Sequence, residues 1–123
     1  MASTEVLFES PRYFKVWQYT VSHCRLLLRS TRGDTANTRI DVHFGAISAM
    51  LLRPYYDGLT IRRASEDELT FVTGASGEVP RGAVVHIIDG EYPSFVVSGQ
   101  VQWHEDEGEY SDPSWFGHMV GTA

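Results

Sequence analysis

Beyond Arg81 the chain has no lysine or arginine. All ten basic side chains lie at or before that residue, against nine acids in the same stretch. The remaining 42 residues carry seven acids: Asp89, Glu91, Glu105, Asp106, Glu107, Glu109 and Asp112. The formal charge is therefore about +1 for the first part and −7 for the second, giving the net −6. An excess of one sign at one end marks a candidate interacting segment. The overall shortage of cations excludes a general nucleic-acid binder, which needs a basic face to displace counterions.

Cysteine is nearly absent too. Cys24 stands alone, which excludes an internal disulfide and a cysteine-rich zinc site. A reducing compartment, and so a cytoplasmic location, is expected. No apolar run approaches the ~18 residues of a membrane span. The stretch Met1–Pro11 carries Glu5 and Glu9 and lacks the basic-then-apolar order of a secretory leader. No membrane association is expected. Repeats and linkers are also missing, so residues 1–123 read as one domain, with an acidic C-terminal segment 105–123 packed on its surface.

The chain does have two-residue periodicity. Between Ser94 and His104, Phe95, Val97, Gly99, Val101 and Trp103 alternate with Val96, Ser98, Gln100 and Gln102. This predicts a strand with one face on a core and the other wet. Ile40, Val42 and Phe44 alternate with Arg39, Asp41 and His43 in the same way. Tyr13–Val21 and Arg25–Ser30 read as strands joined by a turn over 20–24. Leu59 and Ile61 predict another strand, and so do Leu69 and Phe71, which alternate with Thr70 and Val72. Ala83–Ile88 is apolar except for His86 and reads as a central strand covered on both faces. Asp57-Gly58 fits a tight hairpin, and Asp89-Gly90 with Pro93 marks a connection. The expected fold is all-β: about eight antiparallel strands, mostly a meander, forming a barrel or two-sheet sandwich. One short helix is admitted over 46–52, where Ile47 and Leu51 share a helical face before Pro54. The expected core includes Phe14, Leu26, Leu28, Val42, Phe44, Phe71, Val84 and Trp103.

Motifs for chemistry are scarce. His23 and Cys24 are adjacent, so in a strand they point to opposite faces and form no poised pair. The serines lack a Gly-x-Ser-x-Gly elbow, and Gly74-Ala75-Ser76-Gly77 lacks the lysine of a phosphate loop. Pro80-Arg81-Gly82 followed by His86 resembles part of the second metal motif of the cupins. The resemblance covers Gly74–His86 only. Its histidine falls one residue late, and the chain has no His-x-His, so His86 reads as a hydrogen-bonded strand histidine. No catalytic residue, metal or cofactor is assigned.

The candidate contact residues are therefore His104, Glu105, Asp106, Glu107, Glu109, Tyr110 and Trp115, where carboxylates and aromatic rings with polar tips coincide. Asp112-Pro113 can turn the chain ahead of Trp115-Phe116, which would anchor the tail. Arg25 and Arg29, on one strand face, and Arg62-Arg63 are the cations that could receive it. The expected function is a non-catalytic β-domain that binds a protein partner with a basic surface through an acidic, aromatic surface. The alternative is a small-ligand or metal-binding β-barrel, with or without enzymatic activity, built on His43, His86, His104, Gln100 and Gln102. An exposed sheet edge would also permit a homodimer.

Overall fold

The computed structural model describes residues 5–33, 36–109, 112 and 114–116. Eight strands form one sheet: β1 (Val6–Thr20), β2 (Arg25–Ser30), β3 (Arg39–Phe44), β4 (Ala49–Leu51), β5 (Tyr55–Arg63), β6 (Val84–Ile88), β7 (Phe95–Ser98) and β8 (Gln102–Asp106). One helix, α1 (Glu66–Ser76), follows β5. Every pairing is antiparallel, and the sheet order is β4-β7-β6-β5-β1-β2-β3-β8. The small all-β domain with one short helix is thus as the periodicity predicts. It is neither a strand-closed barrel nor a two-sheet sandwich, because β4 and β8 are the ends of a single open sheet.

The sheet curls strongly. Gly99 N–H donates to Gly45 O at 2.9 Å, joining the chain after β7 to the chain after β3, five places apart in sheet order. Inside the curl lie Phe8, Phe14, Leu26, Leu28, Val42, Phe44, Leu59, Ile61 and Ile88. Burial of such side chains contributes roughly 1.5–3 kcal/mol each. On the opposite face of β6 and β7, Val85, Phe95 and Val97 pack with Val72 of α1. Both faces of β7 are therefore covered, as are most residues of β6.

Several expectations are corrected. The helix lies not at 46–52 but at Glu66–Ser76, where alternation suggested a strand. Its start is set by a capping box: Ser65 Oγ accepts from Glu68 N–H, and the Glu68 carboxylate accepts from Ser65 N–H. Glu66, Asp67 and Glu68 fill the first turn, where the helix dipole favours them. Only Val72 of α1 is fully buried, so Phe71 is an exposed residue rather than a core one. Asp57-Gly58 makes no hairpin. It lies within β5, where Gly58 (φ 86°) shifts the strand's phase so that Tyr56 and Leu59, three apart, both reach the core. The run from Ser94 to His104 is two strands, at different places in the sheet. Trp103 is half exposed because β8 is an edge. The polar side of β3 is not wet: Arg39, Asp41 and His43 are all buried.

His86 is fully buried on the inner face, edge-on to Phe44. Its Nε2 accepts from Val101 N–H at 3.1 Å, so Nδ1 carries the proton and donates to Val96 O at 3.0 Å. Burial pushes its pKa down, and Arg63 adds to this. A histidine with a depressed folded pKa favours the fold above its unfolded value, about 6.5. That stability is lost as pH falls towards the folded pKa. Urea titrations should therefore show stability falling as pH drops below about 6.5, at up to roughly 1.4 kcal/mol per pH unit per group. Constant stability over that pH range would rule this account out.

Candidate functional site

The outer face of β2, β3 and β8 is unusually polar. Strand register places Arg29 opposite Asp41, Asp41 opposite His104, His43 opposite Gln102 and Arg39 opposite Asp106. Arg29 and Asp41 form a bidentate pair (Nε–Oδ1 2.7 Å, Nη2–Oδ2 3.1 Å) that is almost wholly buried. The Arg29 guanidinium also lies 5.0 Å from the centre of the Trp17 ring.

The described residues beyond β8 (107–109, 112 and 114–116) lie across this face as a strap. Arg39 donates to both oxygens of Asp106 (3.0 and 2.9 Å), to Glu109 O (3.1 Å) and to Asp112 O (2.7 Å). Burial works to raise the Asp106 pKa, but the bonds from Arg39 and from Gly108 N–H prevail and hold it below its ordinary value. Arg32 donates to Glu107 O and pairs with Glu109 at 3.1 Å. Arg25 donates through Nε to His43 Nε2 (2.9 Å) and through Nη2 to Phe116 O (2.8 Å). Phe116 stacks on His43 at 4.8 Å, and Trp115 stacks on His104 at 4.6 Å. Burial, then the charge of Arg25, lowers the His43 pKa and keeps the ring neutral beside that guanidinium.

The candidate residues read from the sequence are thus divided. His104, Asp106 and Trp115 share the outer face. Glu105 points to the other side, where Thr38 Oγ1 donates to it at 2.6 Å and Arg12 lies 3.8 Å away. Glu109 is held by Arg32, and Glu107 is exposed. Tyr110 lies outside the described residues. The polar set of the alternative reading does not converge: His86 is inside the curl, His43 and His104 are outside, and Gln100 is exposed between β7 and β8. Among the described residues no three His, Cys, Asp or Glu side chains are grouped to hold an ion.

A second surface emerges around the β6–β7 connection, which the sequence marked only as a turn. Three open grooves meet at Asp89-Gly90. The first, about 440 Å³, lies between α1 and the connection and includes Asp67, Phe71 and Tyr92. The third is lined by Arg53, Tyr55, Asp57, Glu91 and Tyr92. Arg62 braces the floor, donating to both Glu68 oxygens (2.7 and 2.6 Å) and to Asp89 at 3.0 Å. The Glu68 carboxyl falls to about 2, chiefly through the Arg62 bonds. Arg53 lies over the Tyr92 ring at 4.5 Å, and Tyr13 stacks on Tyr55 at 5.4 Å. Tyr55, Phe71 and Tyr92 are each about half exposed. Asp57, Asp67 and Glu91 have no ion-pair partner among the described residues. The signal that could have found this surface is the pairing of Tyr55-Tyr56-Asp57 with Asp89-Gly90-Glu91-Tyr92, two short aromatic–acidic runs.

Comparison with known proteins finds no family model that matches the chain, no matching curated protein and no matching solved structure.

Two predictions follow from the strap face. Asp41→Ala should destabilise the protein by about 3–5 kcal/mol, because it strands a buried guanidinium. Replacing both partners (Arg29→Met with Asp41→Leu) should cost much less. Denaturant titration of the three proteins checks this, and equal losses would contradict it. Arg39→Ala should speed cleavage by a glutamate-specific protease at Glu107 and Glu109, since Arg39 ties that stretch down at three points. Unchanged cleavage would show that Arg39 does not hold the strap.

Proposed function

We propose that the protein is a non-catalytic binding module that recognises a basic segment of a protein partner. Its contact surface is the acidic, aromatic region around Asp89–Pro93. The observation that carries this reading is the meeting of three grooves at Asp89-Gly90, with half-exposed Tyr55, Phe71 and Tyr92 beside Asp57, Asp67 and Glu91. Aromatic rings with polar tips supply contact area and cation–π attraction, and carboxylates with no ion-pair partner among the described residues steer a cationic partner and raise the association rate. The strap's acids support the reading less directly, since Glu105, Asp106 and Glu109 already have cationic neighbours within the chain.

Support for a small-ligand enzyme is weaker. The inside of the curl is filled by Phe8, Phe14 and Phe44 rather than hollow, and the histidines lie on different faces. No helix among the described residues is long and apolar enough to cross a membrane. We place the protein in a reducing compartment, the cytoplasm, on the strength of its one unpaired Cys24. The net charge of −6 argues against general binding to nucleic acid.

Selection from a random peptide display library tests the proposal. Lys- and Arg-containing peptides should be enriched on the wild-type protein, with binding that weakens as salt rises. Enrichment should be lost with Glu91→Lys and Tyr92→Ala, and retained with Glu107→Lys on the strap. No enrichment, or enrichment indifferent to Glu91→Lys and Tyr92→Ala, would refute it.

A further inference from the structure

We propose that the protein forms a two-fold dimer by antiparallel pairing of β8 with β8 of a second copy, with the axis at His104. Among the described residues β8 is the last strand of the sheet, bonded to β3 on one side only. Its five residues, Gln102-Trp103-His104-Glu105-Asp106, include no proline, lysine or arginine to guard the edge, and the one inward-facing charge, Glu105, is bonded by Thr38 within the chain. The opposite edge, β4, is only three residues long and so offers little to pair with.

The occupant follows from self-complementarity. Pairing about His104 sets Trp103 across from the partner's Glu105, and Gln102 across from the partner's Asp106. No carboxylate lies directly opposite a carboxylate, and an amide donor faces an acceptor; the two Glu105 side chains are diagonal neighbours, at the same offset as the two Trp103 rings. Like charges directly opposite one another would have opposed such pairing. Trp103 is 50 % exposed and rests on Phe8 at 5.2 Å, on the inner side of the sheet. There it borders a groove that also includes Arg12, Ile40 and Glu105. The two-fold operation brings the two Trp103 rings into diagonal proximity across the axis, covering apolar surface left open in one copy. A two-fold pairing also consumes both free edges at once and closes the assembly. The described part of the strap leaves the edge clear, because it turns inward over β3 and β2 to Arg39, Arg32 and Arg25. This inference is independent of the basic-partner surface, which lies at the β6–β7 connection.

Light scattering of the purified full chain should give twice the monomer mass. In a Cys24→Ser background, His104→Cys should form a reducible covalent dimer under mild oxidation. Antiparallel partners place the two Cα atoms about 4.5–5.5 Å apart, within disulfide reach. Gln102→Cys in the same background should not cross-link, since its two copies are offset by roughly 13 Å along the strands. Trp103→Glu sets carboxylates across the axis and should raise the dimer dissociation constant about tenfold. Glu91→Lys and Tyr92→Ala should leave the mass unchanged. Circular dichroism like that of the wild type is the condition for reading each variant. Should Trp103→Glu not fold, the His104→Cys and Gln102→Cys pair decides alone. A monomer mass at the highest attainable concentration would overturn the proposal. So would a dimer that cross-links at residue 102 and not at 104.

Discussion

The fold depends on the length of β1. Fifteen residues of extended chain would span roughly 50 Å if straight, more than the roughly 35 Å breadth of a compact domain of this size. The strand must bend, and its pairing registers show where. Register shifts fall between Val6 and Phe8 and between Ser10 and Tyr13 against β5, and between Val16 and Gln18 against β2. Such bulges increase local twist. Because β1 joins β5 on one side to β2 on the other, its bending passes to both halves of the sheet. The curl that results lets one sheet surround its own core, where a flat sheet would need a second layer.

Curling leaves the outer face to be dealt with separately, and the two halves do so by different chemistry. Behind β6 and β7 the cover is apolar: α1 brings Val72 against Val85, Phe95 and Val97. Behind β2, β3 and β8 the strand residues are charged, and burying them carries a large desolvation penalty unless each finds a partner. They do find partners. Asp41 answers Arg29 within the sheet, and Asp106 together with the strap's carbonyl oxygens answers Arg39. The strap thus completes the strands: without it, Arg39 loses the carbonyl acceptors of Glu109 and Asp112, Arg25 loses that of Phe116, and His43 and His104 lose their aromatic covers.

Most strands were legible because their inner residues alternate. Ile40, Val42 and Phe44 are inside as their spacing says, and His86 is the bonded strand histidine expected. What alternation cannot report is the fate of the other face. Arg39, Asp41 and His43 look like a wet side, and only the arrival of a segment more than sixty residues later buries them. The helix was misread for a related reason. It buries only Val72, so it has almost no apolar stripe, and Leu69 with Phe71 mimics a strand. Its local signature, Ser65-x-x-Glu68 with acids at both intervening positions, was present and was the better guide. Gly58 shows a third kind of ambiguity: one positive-φ glycine serves a hairpin and a phase shift within a strand equally well, and only pairing decides. The aromatic–acidic surface was invisible because its two runs, near residues 55 and 90, meet only through the β5–β6 pairing.

These pairings also decide where the net charge acts. The C-terminal acids are densely clustered in the sequence, yet Asp106 of β8 and Glu109 of the strap are engaged by arginines of the same chain, and Glu105 sits near Arg12. Opposite charges held this closely largely cancel beyond a Debye length, about 8 Å at physiological ionic strength. The field felt by an approaching molecule is then set more by carboxylates without such neighbours among the described residues, which include Asp57, Asp67 and Glu91 around the connection that Arg62 braces. A strongly charged segment can therefore be a fastening, while a sparser set of acids elsewhere stays open to solvent. Where the two differ, side-chain pairing is a better guide to a binding surface than the density of charge along the chain.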